Sequence, residues 1–215
     1  MATLFDDATS PPLREPLEDG AVLLRAFATP DAPALVSEIA RIAETAPFRH
    51  LVVPGGHTMS VAMTNCGDLG WVTDRTGYRY TSLDPANSKP WPPMPTPLLR
   101  LAQRAATAGG FPGFTPNACL INRYAPGTRL SLHQDKNEQD YTHPNVSVSL
   151  GLPAVFLFGG MTRKVRPRRM RLESGDVVVW GGPTRLAYHG VAPLKPGDHP
   201  LAGPVRINLT FRKAR

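Results

Sequence analysis

From about residue 117 to the C-terminus, apolar and polar positions alternate in short runs cut by Gly, Pro, Asn and Asp. A period of two marks strands that turn one face to a core. Strands are predicted at Ala118–Tyr124, Arg129–Gln134, Val146–Leu150, Val155–Phe158, Met170–Leu172, Val177–Trp180, Leu186–His189 and Val205–Arg212. Short strands in unbroken succession, with turn residues between them, fit a double-sheet jelly roll or cupin-like barrel. Ahead of them the period changes. Leu35, Ile39, Ile42 and Ala46 recur at helical spacing and predict an amphipathic helix over about 30–46, entered through an N-cap at Thr29 and Pro30. A second helix is predicted from Thr96-Pro97, with Leu98, Leu101, Ala102 and Ala105 on one face and Gly109-Gly110 ending it. Ala21–Phe27 predicts a strand, and the acidic, proline-bearing residues 1–19 predict a loose N-terminal arm.

Between the helices, 48–94 has another texture. Short alternating pieces (Met59–Thr64, Tyr78–Thr81) sit among Gly, Asn, Asp and Pro, and Trp71, Tyr78, Tyr80 and Trp91 add exposed-looking aromatics. This predicts a β-rich flap within one domain. The fold class expected is mostly β with flanking helices: a double-stranded β-helix (jelly-roll) core over 117–215 and a β-rich lid over 48–94, in a single domain spanning 20–215.

Composition narrows the function. With 24 Pro and 19 Gly in 215 residues, a helix bundle is disfavoured. Cys66 and Cys119 form no CxxC pair, so neither a disulfide framework nor a structural zinc site is expected, and the default compartment is reducing, the cytoplasm. The longest uncharged stretch, 144–162, contains Pro153, Gly151 and Gly159 and reads as strands and a turn rather than a membrane span. The first ten residues carry two acids and no basic run, so no secretory leader is expected. The net charge is +7, and Arg outnumbers Lys 19 to 5, which suits bidentate contact with phosphates or carboxylates and suggests a polyanionic partner. Six of the nine residues Arg163–Arg171 are basic; phosphate contact and a merely solvated hairpin are equally open readings.

The chemistry starts at His133-Gln-Asp135. On a strand, alternation turns Ser131, His133 and Asp135 to one side and Leu130 and Leu132 to the other. Alone the pair is weak: 6 His and 11 Asp give roughly 0.3 His-x-Asp matches by chance. His189, at the end of a later run, offers a third ligand, and two imidazoles with one carboxylate make the facial triad of non-haem Fe(II) oxygenases. In Arg206–Arg212, Ile207, Leu209 and Phe211 take one face while Arg206, Asn208, Thr210 and Arg212 take the other. Two inward arginines on a buried strand each need an anion, and a small dicarboxylate could satisfy both. A solvated edge strand is the alternative.

With these residues in hand, the chain resembles the AlkB family of Fe(II)- and 2-oxoglutarate-dependent dioxygenases, in particular its bacterial DNA-repair members. The resemblance runs through PGGHTMSVAMTNCGDLGW (54–71), NACLINRYAPGTRLSLHQDKNE (117–138), VSVSLGLPAVFLFGG (146–160), GDVVVWGG (175–182) and VRINLTFR (205–212). It implies Fe(II) on His133, Asp135 and His189. It implies 2-oxoglutarate between Arg206, at the distal carboxylate, and Arg212, at the metal side, with Asn122, Tyr124 and Asn208 adding hydrogen bonds. It implies O2 as the second co-substrate. Trp71 and His189 would sandwich a flipped base, Tyr78 would touch the nucleic-acid backbone, Arg163 would lie near the substrate, and 48–94 would be the nucleotide-recognition lid. The implied activity is oxidative dealkylation of N-alkylated bases in single- or double-stranded DNA, with RNA left open, by a monomer with no membrane partner; formaldehyde, succinate and CO2 are released. Two positions depart from the pattern. Asn137 stands where bacterial members carry an acid that meets the base's exocyclic amino group, and His57 stands where they carry a lid tyrosine. Two other functions stay open: a hydroxylase of the same fold acting on a protein or small molecule, and a nucleic-acid-binding module without catalysis.

Overall fold

The structure, a computed structural model, describes residues 14–215. Its strands are β1 (Arg14–Glu18), β2 (Ala21–Leu24), β3 (Arg49–Val52), β4 (Thr58–Gly67), β5 (Gly70–Asp74), β6 (Gly77–Thr81), β7 (Leu83–Asp84), β8 (Lys89–Pro90), β9 (Ala118–Tyr124), β10 (Leu130–His133), β11 (Asn145–Gly151), β12 (Ala154–Phe158), β13 (Arg168–Leu172), β14 (Val177–Trp180), β15 (His189–Val191) and β16 (Arg206–Arg212). The helices are α1 (Ala32–Thr45) and α2 (Thr96–Ala108). The large sheet runs β1-β2-β14-β11-β16-β9-β4-β3 and the small one β10-β15-β12-β13; β5–β6 and β7–β8 are separate hairpins.

Alternation in the large sheet explains its layering. One face sends Val146, Val148, Val177, Val179, Leu209 and Phe211 against Leu35, Ile39, Leu98 and Leu101 of the helices. The other face sends Leu120, Tyr124, Val178 and Trp180 against Phe156, Phe158, Met170 and Val191 of the small sheet. The result is a helix layer, a large sheet and a small sheet, a jelly roll covered on one side by both helices. Strand β16 lies between β11 and β9 in the middle of the large sheet, so it is not a solvated edge.

Several local expectations change. Arg14–Glu18, part of the stretch predicted as a loose arm, pairs with β2; residues 1–13 of that stretch lie outside the described residues. The strand predicted to Phe27 ends at Leu24, because Ala26 takes a left-handed φ of 53° and turns the chain. Thr29 is no N-cap: Thr29–Asp31 winds a 3-10 turn without a side-chain cap, and α1 follows from Ala32. The strand predicted at Leu186–His189 is shifted to His189–Val191, since the preceding residues close a turn in which the Ala187 N–H donates to Thr184 O. Segment 48–94 is only partly a flap: β3 and β4 belong to the large sheet, and β5 to β8 project from it. Of the four aromatics that looked exposed, Tyr80 and Trp91 are buried. Among the described residues, no helix is long and apolar enough to cross a membrane.

Candidate functional site

A cavity of about 530 Å³ opens between the two sheets. All twelve residues nominated above for metal, co-substrate and substrate line it. Its floor is the inward face of β16, where Arg206, Asn208, Thr210 and Arg212 follow one another at every second position.

The triad is assembled by β10 and β15, where His133 and His189 are direct partners. A bulge between Leu130 and His133 breaks the alternation assumed from sequence, so Leu130 packs with the inter-sheet core on the same side that His133 serves. Gly190 permits the close approach: a Cβ there would stand 2.6 Å from Leu130 O and push β15 away from β10. The His133 and His189 rings lie 4.4 Å apart, and Trp180 packs edge-on against His189 at 4.9 Å. Each imidazole is oriented from behind. Nδ1 of His133 is 2.9 Å from Ser131 O, and Nδ1 of His189 is 3.0 Å from Ala187 O. A carbonyl can only accept, so both Nδ1 atoms carry a proton, the tautomer that in a neutral ring leaves the lone pair on Nε2. Those Nε2 atoms lie 3.7 and 3.5 Å from the Asp135 carboxylate, and one ligand atom from each of the three residues falls within 4.8 Å of the others. Burial, reinforced by His189, lowers the His133 pKa to about 4 and keeps the ring neutral at ordinary pH. Two imidazoles turned by their Nε2 atoms and one carboxylate facing a common point suit a divalent first-row metal.

Behind the triad stands a buried charge network. The Arg212 Nη2 and Nε groups donate to Asp135 Oδ2 at 2.6 and 3.1 Å, and Nη1 donates to the Tyr80 hydroxyl at 3.1 Å. Tyr80 in turn donates to Glu138 Oε1 at 2.6 Å. Arg185 meets Glu138 at 3.4 Å, and its Nη1 donates to the backbone O of Asp135 at 3.0 Å. Two carboxylates and two guanidinium groups thus cancel. Burial alone would raise Asp135, but the Arg212 guanidinium beside it holds its carboxyl well below the usual range.

The far end of the floor is different. Arg206 is 1% exposed, donates from Nη2 to Ser149 Oγ at 2.8 Å and lies over the Tyr124 ring at 5.0 Å. Its Nε and Nη1 have no partner among the described residues, nor does the neighbouring Asn122 Oδ1. Asn208 is held by Ser147 Oγ (2.8 Å) and Val148 O (3.0 Å). A buried guanidinium without a carboxylate is costly unless an anion joins it, so this end has the donor set for a ligand carboxylate.

At the mouth, pairing of Trp71 with Tyr80 and of Thr73 with Tyr78 puts all four on one face of the β5–β6 hairpin. Trp71 and Tyr78 stack at 5.7 Å, and Trp71 Nε1 donates to Asn137 Oδ1 at 3.1 Å. Tyr78 remains about half exposed and Arg163 beside the opening is exposed, while His57 sits on the exposed β3–β4 turn away from these contacts. Sequence reasoning missed Tyr80, Glu138, Arg185, Ser147 and Ser149. The Val-Ser-Val-Ser alternation of β11 was a usable signal for the serines; nothing local marked the others.

Comparison with known proteins points the same way. A family model described as the 2OG-Fe(II) oxygenase superfamily matches residues 20–212. The chain is 60% identical over 214 residues to the alpha-ketoglutarate-dependent dioxygenase AlkB of Escherichia coli, covering 100% of this chain and 98% of that one. It is 38% identical over 133 residues to the nucleic acid dioxygenase ALKBH1 of Mus musculus, covering 61% of this chain and 33% of that one. The solved structure of OsALKBH1 superposes with a TM-score of 0.83 at 29% identity, covering 94% of this chain and all of that one.

Proposed function

We propose a function from one premise: the chain belongs to the AlkB family of the 2OG-Fe(II) oxygenase superfamily. It is an Fe(II)- and 2-oxoglutarate-dependent dioxygenase that performs oxidative dealkylation of nucleobases in nucleic acid. When bound, the iron and 2-oxoglutarate supply an O2-dependent oxidation that removes the alkyl carbon as formaldehyde and leaves succinate and CO2.

The chain's residues divide the remaining work. His133, Asp135 and His189 would hold the metal through atoms already freed for it by backbone acceptors behind each ring. Arg206, whose open N–H groups are the observation that carries the assignment, would take the distal carboxylate of 2-oxoglutarate with Asn122, Tyr124 and Asn208 beside it. Arg212 uses three of its five N–H groups within the protein and would present the rest to the metal-side end. Trp71 and His189 would enclose a base drawn out of the stack, with Tyr78 and Arg163 against the backbone and Asn137 at the base edge. Asn137 accepts a hydrogen bond without carrying charge, so it offers a cationic methylated base less than a carboxylate would. The substrate is alkylated DNA, single- or double-stranded, with RNA as a further class to test, and the enzyme acts as a cytoplasmic monomer. Residues 20–215 form one catalytic domain in which the hairpins between β4 and α2 serve as the nucleotide lid.

The test is release of succinate and formaldehyde from a methylated oligonucleotide supplied with Fe(II), ascorbate and 2-oxoglutarate. His133→Ala should abolish turnover and leave oligonucleotide binding largely intact. Turnover of 2-oxoglutarate with no change in any methylated base would move the substrate to a protein or small molecule.

A further inference from the structure

Beyond Arg163, the β12–β13 hairpin carries a charge concentration that the site does not use. Arg163, Lys164, Arg166, Arg168, Arg169 and Arg171 are all exposed. Among the described residues only Arg171 has an ion-pair partner, Glu173. Glu15, which feels the charge of Arg168, is already tied to Arg25 at 2.8 Å. The position of this ridge is specific. Strand β13 is the outer edge of the small sheet, and pairing places His189, Phe158 and Arg168 in one row across β15, β12 and β13. Arg168 therefore stands two strand spacings, about 10 Å, from a wall of the cavity. By alternation Arg168 shares the inward face with Met170 and Leu172 at the open end of the edge, Arg169 turns outward beside it, Arg171, also outward, is held by Glu173, and Arg163 lines the cavity mouth. Uncompensated guanidinium groups that begin at an opening and lead away from it match a linear polyanion, each one able to fork onto a phosphate.

We infer that the β12–β13 hairpin and its edge strand form a phosphate track that grips the nucleic-acid strand beyond the nucleotide held in the cavity, so the preferred substrate is a polynucleotide engaged over several phosphates. This rests on the nucleic-acid reading above and adds the substrate length and its route across the surface. Charges on an edge strand also protect it from pairing with other chains; that role predicts a different outcome.

The experiment compares the unmodified protein with the triple variant Arg166→Gln/Arg168→Gln/Arg169→Gln, both loaded anaerobically with Fe(II) and 2-oxoglutarate. The probes are a methylated trinucleotide and an oligomer of about 15 nucleotides with the same lesion. For the longer probe, the slope of log K against log salt should fall by about 2, from roughly 0.7 per lost single-strand contact. If the two proteins converge near 1 M salt, that slope corresponds to about hundredfold weaker binding near 0.1 M. Once O2 is admitted, trinucleotide turnover should not change. An unchanged slope, or an unmodified protein that binds both probes equally, overturns the track while leaving the cavity assignment standing. Self-association of the variant with unaltered oligonucleotide affinity overturns it in favour of edge protection. Loss of binding to phosphatidylserine vesicles with oligonucleotide binding intact overturns it in favour of a membrane surface. Absence of turnover on any methylated nucleic acid by the unmodified protein overturns the cavity reading and the track together.

Discussion

Arg206 and Arg212 occupy the two ends of one strand, face the same cavity and are equally cut off from water, yet they are in opposite electrostatic positions. At the Arg212 end the protein supplies its own anions. Burial opposes that charge, but Asp135, Tyr80 and Glu138 more than offset it and raise the pKa above its ordinary value. At the Arg206 end no carboxylate arrives; burial pulls the pKa down, and only Tyr124 works the other way. The lesson is that one kind of side chain serves two purposes. A guanidinium whose charge is cancelled inside the protein braces the metal ligand it touches. One left uncancelled is a receptor, since a ligand carboxylate is what would relieve it.

The largest effect expected is on folding. Arg212→Leu leaves Asp135 and Glu138 buried with less counter-charge and should cost about 3–5 kcal/mol, read as a fall in the urea midpoint with an unchanged m-value. Stability equal to that of the unmodified protein would mean that the two ends do not differ. Arg206→Leu should show the reverse pattern. It removes a charge that has no protein carboxylate, so stability should stay within about 1 kcal/mol. The apparent KM for 2-oxoglutarate should rise roughly 100-fold, from about 3 kcal/mol of charge-assisted hydrogen bonding.

Acid titration of the metal-free protein separates the ends again. The unfolded chain protonates His133 near 6.5, while the folded one resists until about 4. This part of the stability is therefore complete above pH 6.5 and is lost as pH falls toward 4. Asp135, lowered in the folded state, adds stability that is complete above about pH 4, its ordinary carboxylate range, and is lost below it. Arg212→Leu should erase the lower limb and Arg206→Leu should keep it, as denaturation followed by circular dichroism would show. The smallest effect is expected from Tyr80→Phe. Removing the hydroxyl that joins Arg212 to Glu138 should cost about 1–2 kcal/mol of stability and leave the KM for 2-oxoglutarate alone; a raised KM would extend the receptor end across the whole floor.

How much of this was legible beforehand follows from the range of the interactions. The strand periods, both helices and the separation of faces along 206–212 were readable, because a side chain's direction depends on its own backbone and its nearest neighbours. His133 and Asp135 were nominated from residue type and local alternation, and His189 from its residue type at the end of a later run and from the family resemblance. That alternation failed at 130–133, where a bulge created by pairing with β15 reset the parity.

The sequence by itself determined the layers of the fold, the ligand types and the inward row of polar residues on β16. Only the tertiary structure decided which inward arginine was neutral in its setting. Arg212 meets Asp135 across 77 residues of chain and Tyr80 across 132. A charge is cancelled by whatever lies a few ångströms away in space, and no local pattern records which segment that is.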